Sequence, residues 1–183
     1  MSYIIKEIDK SVIYYQKYLN EQSCKLSVSQ YDLFCYMILY HDMKLSEGFV
    51  SLLKKNNHLS AYPIFIEHID LCLQLYASKL ISYDLNLFAK KMINKYKLNY
   101  MKDKYGNSMN KKYLINNLAE YSGLFWLKDT YKSGANPIYF SYDNIDEIDG
   151  VKKMNASYIP DSLKIELSIK FNQISNLISQ LLM

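Results

Sequence analysis

The residue types able to do acid–base, nucleophilic or metal chemistry are few in this chain. There are three histidines, His41, His58 and His68, and three cysteines, Cys24, Cys35 and Cys72. His68 and Cys72 stand at i and i+4 of a helical stretch, a spacing that can present half of a zinc site, with Glu67 and Asp70 close by. A full site needs two further ligands and no second paired motif supplies them. The expectation is therefore no metal and no cofactor, with His68 hydrogen-bonded in or near the core. His41 and Asp42 are adjacent on a helix, where neighbours do not face each other, so they make no dyad by themselves. His58 falls in a turn and is expected to be solvated. No spacing favours a Cys–His nucleophile pair. The acidic run Asp143–Gly150 has a faint look of a calcium loop. Counted from Asp143, however, the positions that an EF-hand gives to glycine and glutamate hold Ile148 and Met154, so a solvated acidic turn is expected.

The cations carry a second kind of chemistry. Every one of the 22 basic residues is a lysine. Arginine alone offers a planar, permanently charged fork for phosphates, guanine edges and buried carboxylates, so mechanisms that require one in this chain are excluded. Lysines 90, 91, 95, 97, 102, 104, 111 and 112 crowd one stretch, interleaved with Tyr96, Tyr100, Tyr105 and Tyr113. That pattern can track single-stranded nucleic acid, with Lys90, Lys91, Lys95 and Lys97 as the contacts, and it equally describes a solvated helix face.

The elements that must position these residues read as helices. The length of 183 residues, an apolar share of 50% and only 5 glycines and 3 prolines point to one globular, all-α domain over 1–183. The net charge of +4 is mild and favours no nucleic acid by itself. Tyrosine is abundant at 19, which fits either an AT-rich coding bias or a contact surface. Odd, widely spaced cysteines read as reduced thiols in a cytoplasmic protein, and no run of about 18 apolar residues or signal-like segment is visible.

Helical spacing covers roughly 3–22, 28–56, 60–82, 84–98, 110–121, 123–133 and 161–183, a bundle of about six to seven helices. The third is apolar over most of its surface and is expected to be the long central helix, with Ser60 as N-cap and Pro63 in its first turn. Gly134 is a candidate helix terminator, and 136–150 is the least regular stretch. The last helix carries Leu163, Leu167, Phe171, Ile174, Ile178 and Leu181 as a stripe, which serves either a dimer contact or the chain's own core.

From Tyr31 to Ile145 the chain resembles an uncharacterised family of bacterial all-helical proteins. The stretches that carry the likeness are Leu52-Leu53 through Ala61-Tyr62-Pro63, then Asp70 with Leu73, Tyr76 and Ala77, then Met101-Lys102-Asp103-Lys104-Tyr105-Gly106, and finally Pro137-Ile138-Tyr139-Phe140-Ser141. The likeness implies a polar cluster on the central helix, at positions 66, 70 and 74, facing position 139. Here Ile66 and Gln74 stand where the family carries arginine, and Tyr139 stands where it carries histidine. Asp70, Gln74, Tyr139 and Ser141 are thus the candidates for a ligand-binding or structural cluster, with no catalytic residue assigned. The favoured expectation is a non-enzymatic protein that acts through protein contacts, as a homo-oligomer or as a subunit of a bacterial or phage-conflict system. A nucleic-acid-binding module related to degenerate helical ribonucleases and a small-molecule sensor with a pocket near Asp70 and Tyr139 are the alternatives.

Overall fold

The protein, seen in a computed structural model, is described over residues 2–23, 29–132, 145–148, 151–154 and 161–182. It is an all-α bundle. Helix α1 spans Ser2–Ser23, α2 Gln30–Lys54, α3 His58–Leu80, α4 Leu85–Ile93, α5 Lys111–Ser122, α6 Trp126–Lys132 and α7 Asp161–Leu182, with a short 3-10 turn at Leu98–Tyr100. The irregular stretch holds one departure from the expected pattern. Strands β1 (Ile145–Ile148) and β2 (Val151–Met154) pair antiparallel, so part of the acidic run is strand rather than turn.

Each long helix lays an apolar stripe into a shared core. On α2 the stripe runs Phe34, Ile38, Leu45, Phe49 and Leu53, and on α7 it runs Leu167, Phe171, Ile174, Ile178 and Leu181, all of them buried. The C-terminal stripe is therefore spent on the chain's own core and is not open as a dimer contact. Helix α3 is central as expected. It packs on α2, α7 and α5, and it is buried at Phe65, Ile69, Leu73, Tyr76 and other positions around most of its circumference.

Local chemistry sets the helix ends. Ser29 Oγ accepts the Asp32 amide at 3.0 Å while the Asp32 carboxylate accepts the Ser29 amide at 3.1 Å, a capping box that starts α2. At its other end the Asn57 amide reaches back to the Leu52 carbonyl with Asn56 in the left-handed region at φ 55°, a Schellman stop. The N-cap of α3 is Asn57, not Ser60: its Oδ1 accepts the Ser60 amide at 3.2 Å. The helix thus starts earlier than expected. Pro63 falls in its second turn, where the missing N–H leaves one intrahelical bond unmade. Helix α4 ends earlier than its expected limit of 98. The Tyr96 amide bonds to the Lys91 carbonyl and the Lys95 amide to the Met92 carbonyl, a second Schellman stop with Lys95 at φ 60°. Asn110 caps α5 by accepting the Tyr113 amide at 3.0 Å, and Gly123 closes that helix at φ 70°. Gly134 lies outside the described residues.

Candidate functional site

Two polar assemblies stand out, one sealed in the core and one open at the surface. The sealed one interrupts three apolar stripes. Asp42 replaces an apolar residue between Ile38 and Leu45 on α2, His68 sits between Phe65 and Cys72 on α3, and Ser175 follows Ile174 on α7, each with no solvent exposure. The three meet. His68 Nδ1 is in contact with an Asp42 carboxylate oxygen, and His68 Nε2 lies 3.3 Å from Ser175 Oγ and 3.3 Å from the Phe171 carbonyl oxygen. The imidazole stacks flat on Phe171 with 3.9 Å between ring centres, and Phe49 covers the other face of that ring at 4.0 Å. Tyr15 on α1 donates to the Ser175 carbonyl at 2.9 Å; burial first, then the Asp42 charge, pushes its phenol well above the ordinary value.

The order Ser–His–Asp is that of a nucleophilic triad, yet all three groups are buried at zero exposure, so no substrate carbonyl reaches the hydroxyl. Cys72 shares the seclusion, and burial and then the Asp42 charge push its thiol up. Cys35 is likewise raised, to about 11, mainly by burial. Inert thiols behave this way, not nucleophiles. Among the described residues no three His, Cys, Asp or Glu side chains gather as a metal-binding group. His68 is turned to Asp42, and this partner is not adjacent in sequence as His41 is. His41 instead reaches Glu67 at 3.2 Å on the exposed side of α2 and α3. His58, expected in solvent, is 1% exposed because the earlier start of α3 carries it into the core.

The open assembly lies where the C-terminal half of α3, the 3-10 turn and the start of α5 enclose a cleft of about 430 Å³. Its floor is Leu73, Leu98, Met109 and Leu114, and its polar wall is Asp70, Gln74, Lys97, Asn99, Asn110 and Lys111. Asp70 and Gln74, one turn apart, share this cleft as their spacing predicts. Tyr139 and Ser141 lie outside the described residues. Ile66, the third position of that stripe, does not line the cleft. Lys111 closes on Asp70 at 2.8 Å, both partly exposed, which makes the pair weak in energy but fixes the rim.

A locked turn carries the rim residues. Lys102 and Ser108 form an antiparallel bridge, Gly106 turns the chain at φ 86°, and the Lys104 amide donates to the last carbonyl of α3, on Leu80, at 2.8 Å. Asp103 is the hub. It accepts from the Tyr113 hydroxyl at 2.5 Å, the Tyr105 amide at 2.9 Å and the Asn107 amide at 2.8 Å. Desolvation is the largest single influence and opposes the charge, but the Tyr113 hydroxyl and the amides together outweigh it and hold the carboxyl down at about 2.

Charge is segregated along the chain, and two of the lysines concerned, Lys97 and Lys111, line this cleft. Residues 85–112 hold eight lysines and one acid, Asp103, a net of +7; the rest of the chain, with fourteen lysines and seventeen acids, is −3, which together give the +4 of the whole. Of those eight lysines only Lys111 makes an ion pair with a described residue. Lys91 lies over the rings of Tyr83 at 5.0 Å and Tyr96 at 5.9 Å, and Tyr96 meets Tyr100 edge to face at 6.2 Å. Tyr96, Tyr100 and Tyr105 are 47%, 67% and 76% exposed, and Lys104 lies over the Tyr105 ring at 5.1 Å, so a lysine already covers part of the Tyr96 and Tyr105 rings. Of the four lysines singled out from sequence, Lys90 and Lys91 end α4, Lys95 forms its left-handed stop, and Lys97 reaches the cleft itself.

Comparison with protein-family models, with curated proteins and with solved structures found no match. No helix among the described residues is long and apolar enough to cross a membrane.

Proposed function

We propose that this is a binding protein whose working surface is the lysine- and tyrosine-bearing face of residues 85–112, and that its partner is single-stranded nucleic acid. The observation that carries the reading is the charge segregation, +7 on one folded segment against −3 elsewhere. Seven lysines without an ion-pair partner among the described residues stand ready to displace counterions from a phosphate backbone, and three exposed tyrosines offer ring faces to unstacked bases. Lysine positions a backbone without reading sequence, so the expected binding is sequence-tolerant. The sealed Ser–His–Asp order supports contact over catalysis. On this reading the chain is a member of the helical family it resembles, with packing at Ile66 where charge would stand, and its two buried thiols suit the cytoplasm. Replacing Lys90, Lys91 and Lys97 with glutamine should weaken binding of a labelled oligonucleotide at least tenfold at low salt. Unchanged affinity in a folded variant would sink the reading.

A second reading, contact with a protein or a second copy, rests on Leu33, Met37 and Tyr40. They sit at i, i+4 and i+7 on α2 and are 39%, 48% and 48% exposed. If that face is a self-contact, Met37→Glu should shift a sedimenting dimer to monomer. A wild-type chain that is monomeric at high concentration rules the self-contact out.

A further inference from the structure

The geometry points to the cleft at Asp70, Lys97 and Lys111 as a slot for one nucleotide, with the base on the apolar floor and the phosphate at Lys97. The inference rests on the nucleic-acid reading and deepens it by assigning what enters this site. Three observations carry it.

The cleft opens inside the basic face, since Lys97 and Asn99 of its wall belong to the segment that bears the exposed tyrosines. Lys97, Leu98 and Asn99, the residues between Tyr96 and Tyr100 in sequence, all line it. Its volume of about 430 Å³, open to solvent along the rim, is large enough to admit a small ligand. The floor of Leu73, Leu98, Met109 and Leu114 is aliphatic and offers a flat apolar body a place out of water, at the foot of a wall that is otherwise polar.

The wall offers the hydrogen bonds a base edge needs. Neither the Gln74 nor the Asn99 side-chain amide is bonded to a described residue, and each presents one acceptor and two donors. Asn110 spends its Oδ1 on capping α5 and keeps its amide donors. Side-chain amides of this kind pair with the edges of bases.

The charges suit one bound anion. Asp70 is neutralised by Lys111 at 2.8 Å, which leaves Lys97, without an ion pair among described residues, as the surplus cation of the wall. A ligand with a flat apolar body and a single phosphate group matches this set, and inorganic phosphate or an acidic peptide matches only part of it.

The test uses the full chain and two kinds of probe: nucleoside 5′-monophosphates, and a labelled oligonucleotide of roughly a dozen nucleotides, a length within the usual range of single-strand sites. Gln74→Leu removes one base-edge partner without changing charge or adding an aromatic ring, and Asn99→Leu, at an exposed rim position, does the same independently. Saturable monophosphate binding in wild type, lost about tenfold or more in both variants while oligonucleotide binding persists with a steep salt dependence, is the expected result. If the oligonucleotide binds wild type and both variants equally and the monophosphates bind none of them, the slot is overturned while the face reading stands. If neither probe binds at low salt, both fall together. Ribose 5-phosphate or polyglutamate binding as tightly as the nucleotide probes would also overturn the slot, since the surface would then be recognising negative charge alone.

Discussion

Asp42 occupies a position that the pattern of α2 reserves for an apolar side chain, and it survives there because His68 meets it. Both carboxylate oxygens are buried, and the imidazole, with the Tyr15 hydroxyl on the same carboxylate, offsets the cost of burying it. Removing one partner leaves the other stranded. Asp42→Ala should cost about 3–5 kcal/mol of stability in urea denaturation, whereas the paired change Asp42→Leu with His68→Phe, which keeps a ring against Phe171, should recover most of that loss. A double variant no more stable than the single would contradict the assignment. Asp103 is the opposite case, a carboxylate satisfied by several donors. Its folded pKa, about 2, lies below the free-chain value of 3.8, so the stability it contributes is fully present above the free-chain value and is lost as pH falls from there through about 2. Asp103→Asn should flatten the stability profile in that acid window. At neutral pH it should cost about 2 kcal/mol for the weakened bonds from Tyr113 and the turn amides.

At the scale of elements, the ends of helices decide which residues reach the surface assembly. Lys95 takes the left-handed conformation that glycine usually supplies at a Schellman stop, a strain of about 1–2 kcal/mol. Lys95→Gly should therefore raise the midpoint of thermal unfolding and stabilise the fold by about 1 kcal/mol, while removing one cation from the lysine-rich segment. This stop also explains a misreading from sequence. With no glycine or proline after Ile93 the periodicity runs on to 98, but the backbone bonds from Lys95 and Tyr96 end the helix several residues sooner. The start of α3 escaped for a related reason: Ser60 and Asn57 are both good caps, and only the backbone decides between them. The start of α5 was legible in Asn110, although Asn107 and Ser108 are also good caps; both are spent on the preceding turn, where they bond Asp103 and the Asn99 carbonyl. Asp70 and Gln74 were legible as a pair because one helical turn fixes their common side. Their partners in the cleft were not, since Lys97, Asn99 and Met109 arrive from a turn whose path depends on Asp103 and Gly106. The Asp42–His68 contact carried a weaker signal, polar residues set into apolar stripes on two helices. Adjacency to His41 drew attention away from it.

For the whole molecule, the bundle divides labour between its two polar assemblies. The central helix buries His68 on one side, where it links α2 to α7, and presents Asp70 and Gln74 to the cleft on another. The proposed binding face thus meets the central, well-buried helix α3 at the cleft that Lys97 and Lys111 share with Asp70 and Gln74. The most direct test of the account is the affinity of the full chain for a labelled single-stranded oligonucleotide as salt is raised. The account predicts that the logarithm of the association constant falls linearly with the logarithm of salt with a slope of about −3 or steeper, and that the slope drops by roughly 0.7 for each of Lys90, Lys91 and Lys97 replaced by glutamine. A slope near zero, or one that the lysine replacements leave unchanged, would contradict it.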